Sequence, residues 1–192
     1  MTKRLPKVLT GEEQTAVLAL LNTRYLTPHR NLCMIRLMLE AGLRVGEVVA
    51  LKPEHLDMPS CQLMVREGKG AKDRVLWIRD DLRNLIGDWL GRRPESEWLF
   101  PTRDGGRVQT RYLRALVKRL ALKAGVAEAR KVSPHSLRHT FATDLLRRTK
   151  NIRLVQKTLG HASLSTTMIY THIYDGDVEE AMRGLSEEQT AG

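Results

Sequence analysis

The chain has 192 residues, with 32 lysines and arginines against 22 aspartates and glutamates, a formal net charge of +10 and a pI near 10.0. A hydrophobic share of 42% and a charged share of 28% indicate a globular protein with a full core and exclude general disorder. Signal-peptide and membrane-spanning patterns are absent from the sequence, and its two cysteines, Cys33 and Cys61, make no disulfide framework, so we expect a cytoplasmic protein.

Helices are predicted along the first quarter of the chain. Thr10 opens a capping-box pattern, Thr-Gly-Glu-Glu, at the start of a first helix. A second, apolar helix is predicted over roughly 31–41 and should end at Gly42, and a third should start near Arg44 and continue until Pro53. This places Arg44 at a helix N-terminus beside a glycine, where we expect backbone amides to favour an anion.

The next segment has the pattern of a β-hairpin. Residues 61–66 and 74–78 are short apolar runs, and a Gly-rich stretch containing Gly68-Lys69-Gly70 separates them. Apolar periodicity then predicts helices at roughly 80–90, 109–124, 135–148, 151–159, 163–170 and 177–185.

Positive charge is concentrated in the body of the chain. Residues 175–192 hold six acids and one arginine, so residues 1–174 carry a net +15. On the helix from Gln109, Arg111, Arg114 and Lys118 fall outside the apolar face. Such a basic body favours a polyanion, with nucleic acid as the first candidate and an anionic membrane as the second, while a solvated basic surface stays the alternative.

Three motifs carry residue types that suit phosphate chemistry. They are Gly42-Leu43-Arg44-Val45-Gly46-Glu47, His135-Ser136-Leu137-Arg138-His139, and the run from Gly160-His161 to Tyr170-Thr171-His172. The planar fork of arginine is suited to clamping a phosphate, and a tyrosine beside such a clamp can attack phosphorus. His135 and Arg138 are three residues apart and therefore share a helix face, and Ser133 and Pro134 are suited to starting that helix.

On these motifs the chain resembles the tyrosine recombinase (phage integrase) family, most closely its Xer-like and integron-like bacterial branch. The family's motif residues occur in order as Arg44, Lys69, His135, Arg138, His161 and Tyr170. The resemblance implies a mostly α (α+β) catalytic-domain fold with a small antiparallel sheet or hairpin near residues 56–78. It further implies a catalytic domain over residues 1–185 and a flexible tail over 186–192.

The resemblance implies an N-terminal core-binding domain, usual in this family, whereas only about ten residues precede the first predicted helix here. The chain is therefore expected to be either an excised catalytic fragment or a naturally short integrase.

The resemblance also implies a role for each motif residue. Arg44 and Arg138 would clamp the scissile phosphate, and Tyr170 would be the nucleophile. Its phenol, with an ordinary pKa of about 10, needs nearby positive charge or a base, which His135 and Arg138 together with His161 would provide. Tyr174, one helical turn further on, is the rival nucleophile.

Two charged residues complete the expected site. Lys69 would be the general acid that protonates the departing 5′-oxygen, and Lys72 could substitute for it on chemical grounds. Glu47, three residues after Arg44, is expected to brace that arginine, with an ordinary surface glutamate as the alternative.

The function implied is that of a site-specific DNA recombinase, which cleaves and rejoins double-stranded DNA through a 3′-phosphotyrosyl intermediate. Neither a metal, ATP nor another cofactor is expected, and the protein should be nucleoid-associated. The family further implies self-association on DNA in a tetrameric synapse, with the C-terminal helix exchanged between protomers. A type IB topoisomerase-like relaxing activity and a non-catalytic DNA-binding module are the alternatives.

Overall fold

The computed structural model of the chain describes residues 7–66 and 73–160. Within these residues the α-helices are α1 Gly11–Ala19, α2 Leu26–Glu40, α3 Val45–Val48, α4 Asp80–Leu90, α5 Thr110–Lys123, α6 Pro134–Thr149 and α7 Ile152–Leu159. The strands are β1 Leu56–Asp57, β2 Gln62–Val65 and β3 Arg74–Trp77, and short 3-10 helices lie at Pro53–His55 and Ala129–Lys131. The mostly helical architecture with one small sheet agrees with the sequence pattern.

The sheet is antiparallel in the order β1-β2-β3, with Leu63 opposite Leu76 in the β2–β3 pair. These two leucines are buried, whereas Met64 and Trp77 point outward and are exposed. The alternation of buried and exposed residues follows the two-residue period of a strand and confirms the predicted hairpin.

The core forms around α2, which packs against α3, α4 and α6. Its buried face includes Met34, Leu37 and Met38, and complete burial of such a side chain contributes about 1.5–3 kcal/mol to folding. Cys33 is also buried there as a free thiol, and burial raises its pKa. Because α2 packs against both α3 and α6, it fixes the positions of the two elements that carry the Arg44 and His135–Arg138 motifs.

Local signals set the ends of several helices. Thr10 forms the predicted capping box with Glu13, and Ser133 caps α6 with Pro134 in its first turn. The third predicted helix is shorter than expected, because after Val48 the backbone turns through a hydrogen bond from Ala50 N–H to the Glu47 carbonyl oxygen. The second predicted helix begins earlier than residue 31. Buried polar residues interrupt the apolar pattern in its first turns, although the backbone there is helical.

Two predicted helices, 163–170 and 177–185, lie outside the described residues. Among the helices of 7–66 and 73–160, none combines the length and apolar character needed to cross a membrane.

Candidate active site

The turn between α2 and α3 places Arg44 against α6. Gly42 has a φ of +67°, in the left-handed region, and a Cβ at this position would overlap the ring of Phe141 on α6. Glycine satisfies both demands because it lacks a Cβ. The backbone of Gly42 therefore lies directly on α6, and Arg44 follows as the N-cap residue of α3.

Arg138 extends from α6 into the same region and is only 3% exposed. Its Nη1 donates to the carbonyl oxygen of Gly42 at 2.5 Å, and its Nη2 donates to the carbonyl oxygen of Leu159 at 2.6 Å. Rigid, charge-assisted bonds of this kind fix the plane of a guanidinium. Arg138 is thereby held in one orientation by the end of α2 and the end of α7.

Glu47 is the carboxylate that gathers the arginines. It accepts from Arg44 Nη1 at 2.7 Å and from Arg74 Nη1 and Nη2 at 3.0 and 2.8 Å, and Arg138 Nη1 lies 3.9 Å away. Burial works against the charge on Glu47, but hydrogen bonds and charge from Arg74 and Arg44 outweigh it and lower its pKa. Glu47 is thus ionised, and the ion pair with Arg44 expected from the sequence is present.

One expectation about this corner needs correction. The backbone N–H of Arg44 donates to Glu47 Oε2 at 2.6 Å, so the protein's own carboxylate occupies the position proposed for an anion at this helix N-terminus. A helix of four residues also has little dipole to offer. Anion binding at this corner therefore depends on side-chain guanidinium groups.

The last carbonyl groups of α7 accept from the same three arginines. Arg74 Nε donates to Thr158 O at 3.1 Å, Arg138 Nη2 to Leu159 O, and Arg44 Nη2 to Gly160 O at 3.5 Å. The C-terminal carbonyls of a helix lack internal donors and carry partial negative charge, so cations stabilise them. The helix end that leads into position 161 is therefore fixed to the arginine cluster.

A cavity of about 560 Å³ opens beside this cluster. Arg44, His135 and Arg138 line one part of it. Further basic residues line the rest of it: Arg114, Lys118, Arg130 and Lys131. No acidic side chain is among its lining residues within the described part of the chain, so its field favours a polyanion. Arg111, expected to join the basic stripe, is not among the lining residues.

His135 is the titratable group at this cavity. Burial lowers its pKa, and the positive charges of Arg138 and Arg44 lower it further. Its ring meets the ring of His139 edge-on, with 4.2 Å between centroids. At neutral pH His135 is therefore uncharged and has a ring nitrogen that can accept a proton or a hydrogen bond.

Of the six motif residues, the structure brings together Arg44, His135 and Arg138. Lys69, His161 and Tyr170 lie outside the described residues, as do Lys72 and Tyr174. Within residues 7–66 and 73–160 no group of three or more His, Cys, Asp or Glu side chains could hold a metal ion.

Sequence reasoning missed several basic residues at the site. Arg130 and Lys131 directly precede the Val-Ser-Pro-His run, a proximity that could have indicated their place in the cavity wall. For Arg74 the only signal was its position at the end of the Gly-rich loop.

Comparison with known proteins gives consistent matches. The phage integrase family model matches residues 7–176. The tyrosine recombinase XerA of Thermococcus kodakarensis is 42% identical over 175 residues, which cover 89% of this chain and 60% of that protein. XerD of Caulobacter vibrioides is 39% identical over 88% of this chain and 58% of its own length. The chain thus spans about three fifths of the length of these relatives.

Solved structures show the same fold. A crystal structure of XerA recombinase superimposes with a TM-score of 0.79 at 32% identity, covering 95% of this chain and 66% of that one. XerH site-specific recombinase bound to difH substrate in a pre-cleavage complex gives a TM-score of 0.79 at 31% identity, covering 95% of this chain and 55% of that one. These matches confirm the predicted catalytic-domain fold with its small antiparallel sheet.

Proposed function

This chain belongs to the phage integrase family, and from that premise we propose that it is the catalytic domain of a site-specific tyrosine recombinase that cleaves and rejoins double-stranded DNA. The proposed domain covers residues 1–185 and acts without a metal or other cofactor. One observation carries the proposal: Arg44, His135 and Arg138, distant in sequence, converge on one cavity, and the charged lining residues that the structure describes there are basic.

The arginines would bind the scissile phosphate through its non-bridging oxygens. Arg138 is held by the carbonyl oxygens of Gly42 and Leu159, and Arg44 by Glu47, so both guanidinium groups are oriented before DNA arrives. Positive groups that need no rearrangement stabilise a transition state in which negative charge builds on those oxygens. This arrangement suits phosphoryl transfer better than simple DNA binding, for which a mobile surface arginine suffices.

The proposed reaction then runs as an exchange of esters. The phenolic oxygen of Tyr170 attacks phosphorus, its proton passes to a histidine, and the bond from phosphorus to the 5′-oxygen breaks. Neutral His135 is suited to take that proton, and His161 is the second candidate. Lys69 protonates the departing 5′-oxygen, which leaves a 3′-phosphotyrosyl link and a 5′-hydroxyl. Attack by a 5′-hydroxyl of the same or a partner strand reverses each step.

DNA is the proposed partner on two grounds. The cavity continues into a basic wall of Arg114, Lys118, Arg130 and Lys131, which suits phosphates flanking the scissile one. XerH, a relative of known structure, is described in both pre-cleavage and post-cleavage complexes with its difH substrate. We further propose association of protomers on DNA as a tetrameric synapse, with the C-terminal helix exchanged between protomers.

A pool of duplexes with a randomised centre and a nick near each candidate site tests the proposal. Cleavage beside a nick releases a short oligonucleotide that diffuses away, so the covalent protein–DNA adduct accumulates. We expect the wild-type chain and Tyr174→Phe to form the adduct and Tyr170→Phe to form none. Absence of any adduct with the wild-type chain, at all duplex lengths and salt concentrations, would contradict the proposal.

A further inference from the structure

The side chain of Arg74 is mostly shielded from solvent beside the arginine clamp and is not among the lining residues of the cavity. Its side chain is 8% exposed and its partner Glu47 is 9% exposed. The two η nitrogens meet the two carboxylate oxygens of Glu47, and Nε donates to the carbonyl oxygen of Thr158. All three nitrogens of the guanidinium thus have a fixed acceptor, and Arg74 is not among the described residues that line the cavity.

The charges around Glu47 show how Arg74 affects the phosphate clamp. Glu47 interacts with Arg44, Arg138 and Arg74, so three positive charges face one negative charge, a net of +2. The non-bridging oxygens of a phosphodiester share one negative charge, and a second develops there in the transition state as the nucleophile adds. Without Arg74, the balance of this group would fall to +1, and the buried carboxylate would have to obtain its hydrogen bonds from the two clamp arginines.

We propose that Arg74 is a positioning residue for the phosphate clamp: by holding Glu47 and the end of α7, it keeps the guanidinium groups of Arg44 and Arg138 directed at the scissile phosphate. The inference rests on the proposed function of the cavity. A structural ion pair would act through its contribution to stability. Arg74 acts instead through the orientation that it gives to the guanidinium groups of Arg44 and Arg138. A buried ion pair is by itself weak evidence of stabilisation.

To test this positioning role, Arg74 is replaced by lysine or by glutamine. Lysine keeps the charge, but a single ammonium group cannot donate in parallel to both Glu47 oxygens and to Thr158 O. Arg30→Lys is the control, because Arg30 is a buried arginine that donates to the carbonyl oxygen of Pro101 and is not among the lining residues of the cavity. Each variant is compared in thermal melting, in DNA affinity, and in single-turnover adduct formation on a duplex selected from the nicked pool.

We expect Arg74→Lys to slow adduct formation at saturating DNA by about 100-fold, the size of effect caused by a misplacement of about 1 Å at a reacting centre. DNA affinity should change little, because most phosphate-binding side chains lie elsewhere in the basic wall. Arg30→Lys should lower the melting temperature by a similar amount and leave the cleavage rate near that of the wild type.

A second substrate separates positioning from general damage to the fold. Replacing one non-bridging oxygen of the scissile phosphate by a methyl group removes the charge that the clamp must stabilise. The rate ratio between wild type and Arg74→Lys should then fall towards unity. An unchanged cleavage rate in Arg74→Lys, or an equal reduction on both substrates, would overturn the inference.

The pKa of His135 provides a test that does not depend on cleavage. It is needed if the wild-type chain forms no adduct, because that result would contradict the proposed function and not the role of Arg74. Displacement of Arg44 and Arg138 must change the field at His135, so an NMR titration should give a different His135 pKa in Arg74→Lys but not in Arg30→Lys. Identical His135 titrations in the wild type and Arg74→Lys would show that Arg74 does not position the clamp.

Discussion

Arg138 donates a hydrogen bond to the carbonyl oxygen of Gly42 at 2.5 Å across 96 positions of sequence. The bond exists because Gly42 lies flat against α6, with its φ of +67° and no side chain between the backbone and Phe141. The proposed phosphate clamp therefore depends on a buried glycine.

Replacement of Gly42 by alanine should destabilise the protein and disturb the clamp together. Left-handed backbone geometry costs an L-residue about 1–2 kcal/mol, and overlap with the Phe141 ring adds to this cost. Chemical denaturation and adduct formation measure the two effects. Gly46→Ala, in α3, is the matched control and should keep wild-type stability and cleavage, since among the described residues no atom beyond its own helix and chain neighbours lies within 4 Å of the added Cβ. Equal behaviour of the two variants would refute the role given to Gly42.

Replacement of Arg44 and replacement of Arg138 by alanine should have different effects on the stability of the protein. The Arg44 side chain is 42% exposed, so Arg44→Ala should melt close to the wild type while cleavage falls by about 10²–10³-fold, as for removal of one oxyanion donor. Arg138→Ala leaves the carbonyl oxygens of Gly42 and Leu159 without that donor, which should cost about 1–3 kcal/mol for each. Thermal melting with single-turnover kinetics checks both; a stable Arg138→Ala protein would contradict the packing described.

His135 should titrate below its ordinary pKa of 6.5 in the free protein, because burial and the two clamp arginines disfavour its charged form. The unfolded chain then binds the proton more tightly, so stability should fall as pH drops below 6.5 and through the lower folded-state pKa. Binding of an anion in the cavity should raise the pKa. NMR titration, with the His135 signal assigned from a His135→Gln spectrum, provides the measurement. A His135 pKa at or above 6.5 in the free protein would be the contrary result.

The positive charge of the basic wall should affect the affinity for DNA more than the rate of cleavage. Neutralising Arg114 or Lys118 by glutamine should reduce the slope of log affinity against log salt by about 0.9 for each DNA phosphate that the variant no longer neutralises. Cleavage at saturating DNA should stay near the wild-type rate. Lys123→Gln is the control, since Lys123 lies on α5 roughly 140° around the helix from Lys118. Fluorescence anisotropy across a salt series distinguishes them, and identical slopes in all variants would rule out the wall as a phosphate surface.

Much of the framework could be predicted because its signals are local. The helix predicted at 80–90 is α4 Asp80–Leu90, and the caps at Thr10 and Ser133 start their helices as expected. The convergence of Arg44, His135 and Arg138 followed from motif spacing and family resemblance, and the structure places all three at one cavity.

The partners of Arg74 could not be predicted in the same way. It meets Glu47 across 27 positions of sequence and Thr158 across 84, and such distances close only when the tertiary fold has formed. The carbonyl oxygens of a helix end are also identical in every sequence, so no residue pattern marks them as acceptors for arginine.

The arginine clamp should present one phosphodiester to Tyr170, and mass spectrometry of the trapped adduct identifies the residue that becomes linked to DNA. Proteolysis of the adduct should yield a peptide in which Tyr170 carries a nucleotide through its 3′-phosphate. Linkage at Tyr174 or another residue, linkage through a 5′-phosphate, or no covalent adduct at all would contradict the account.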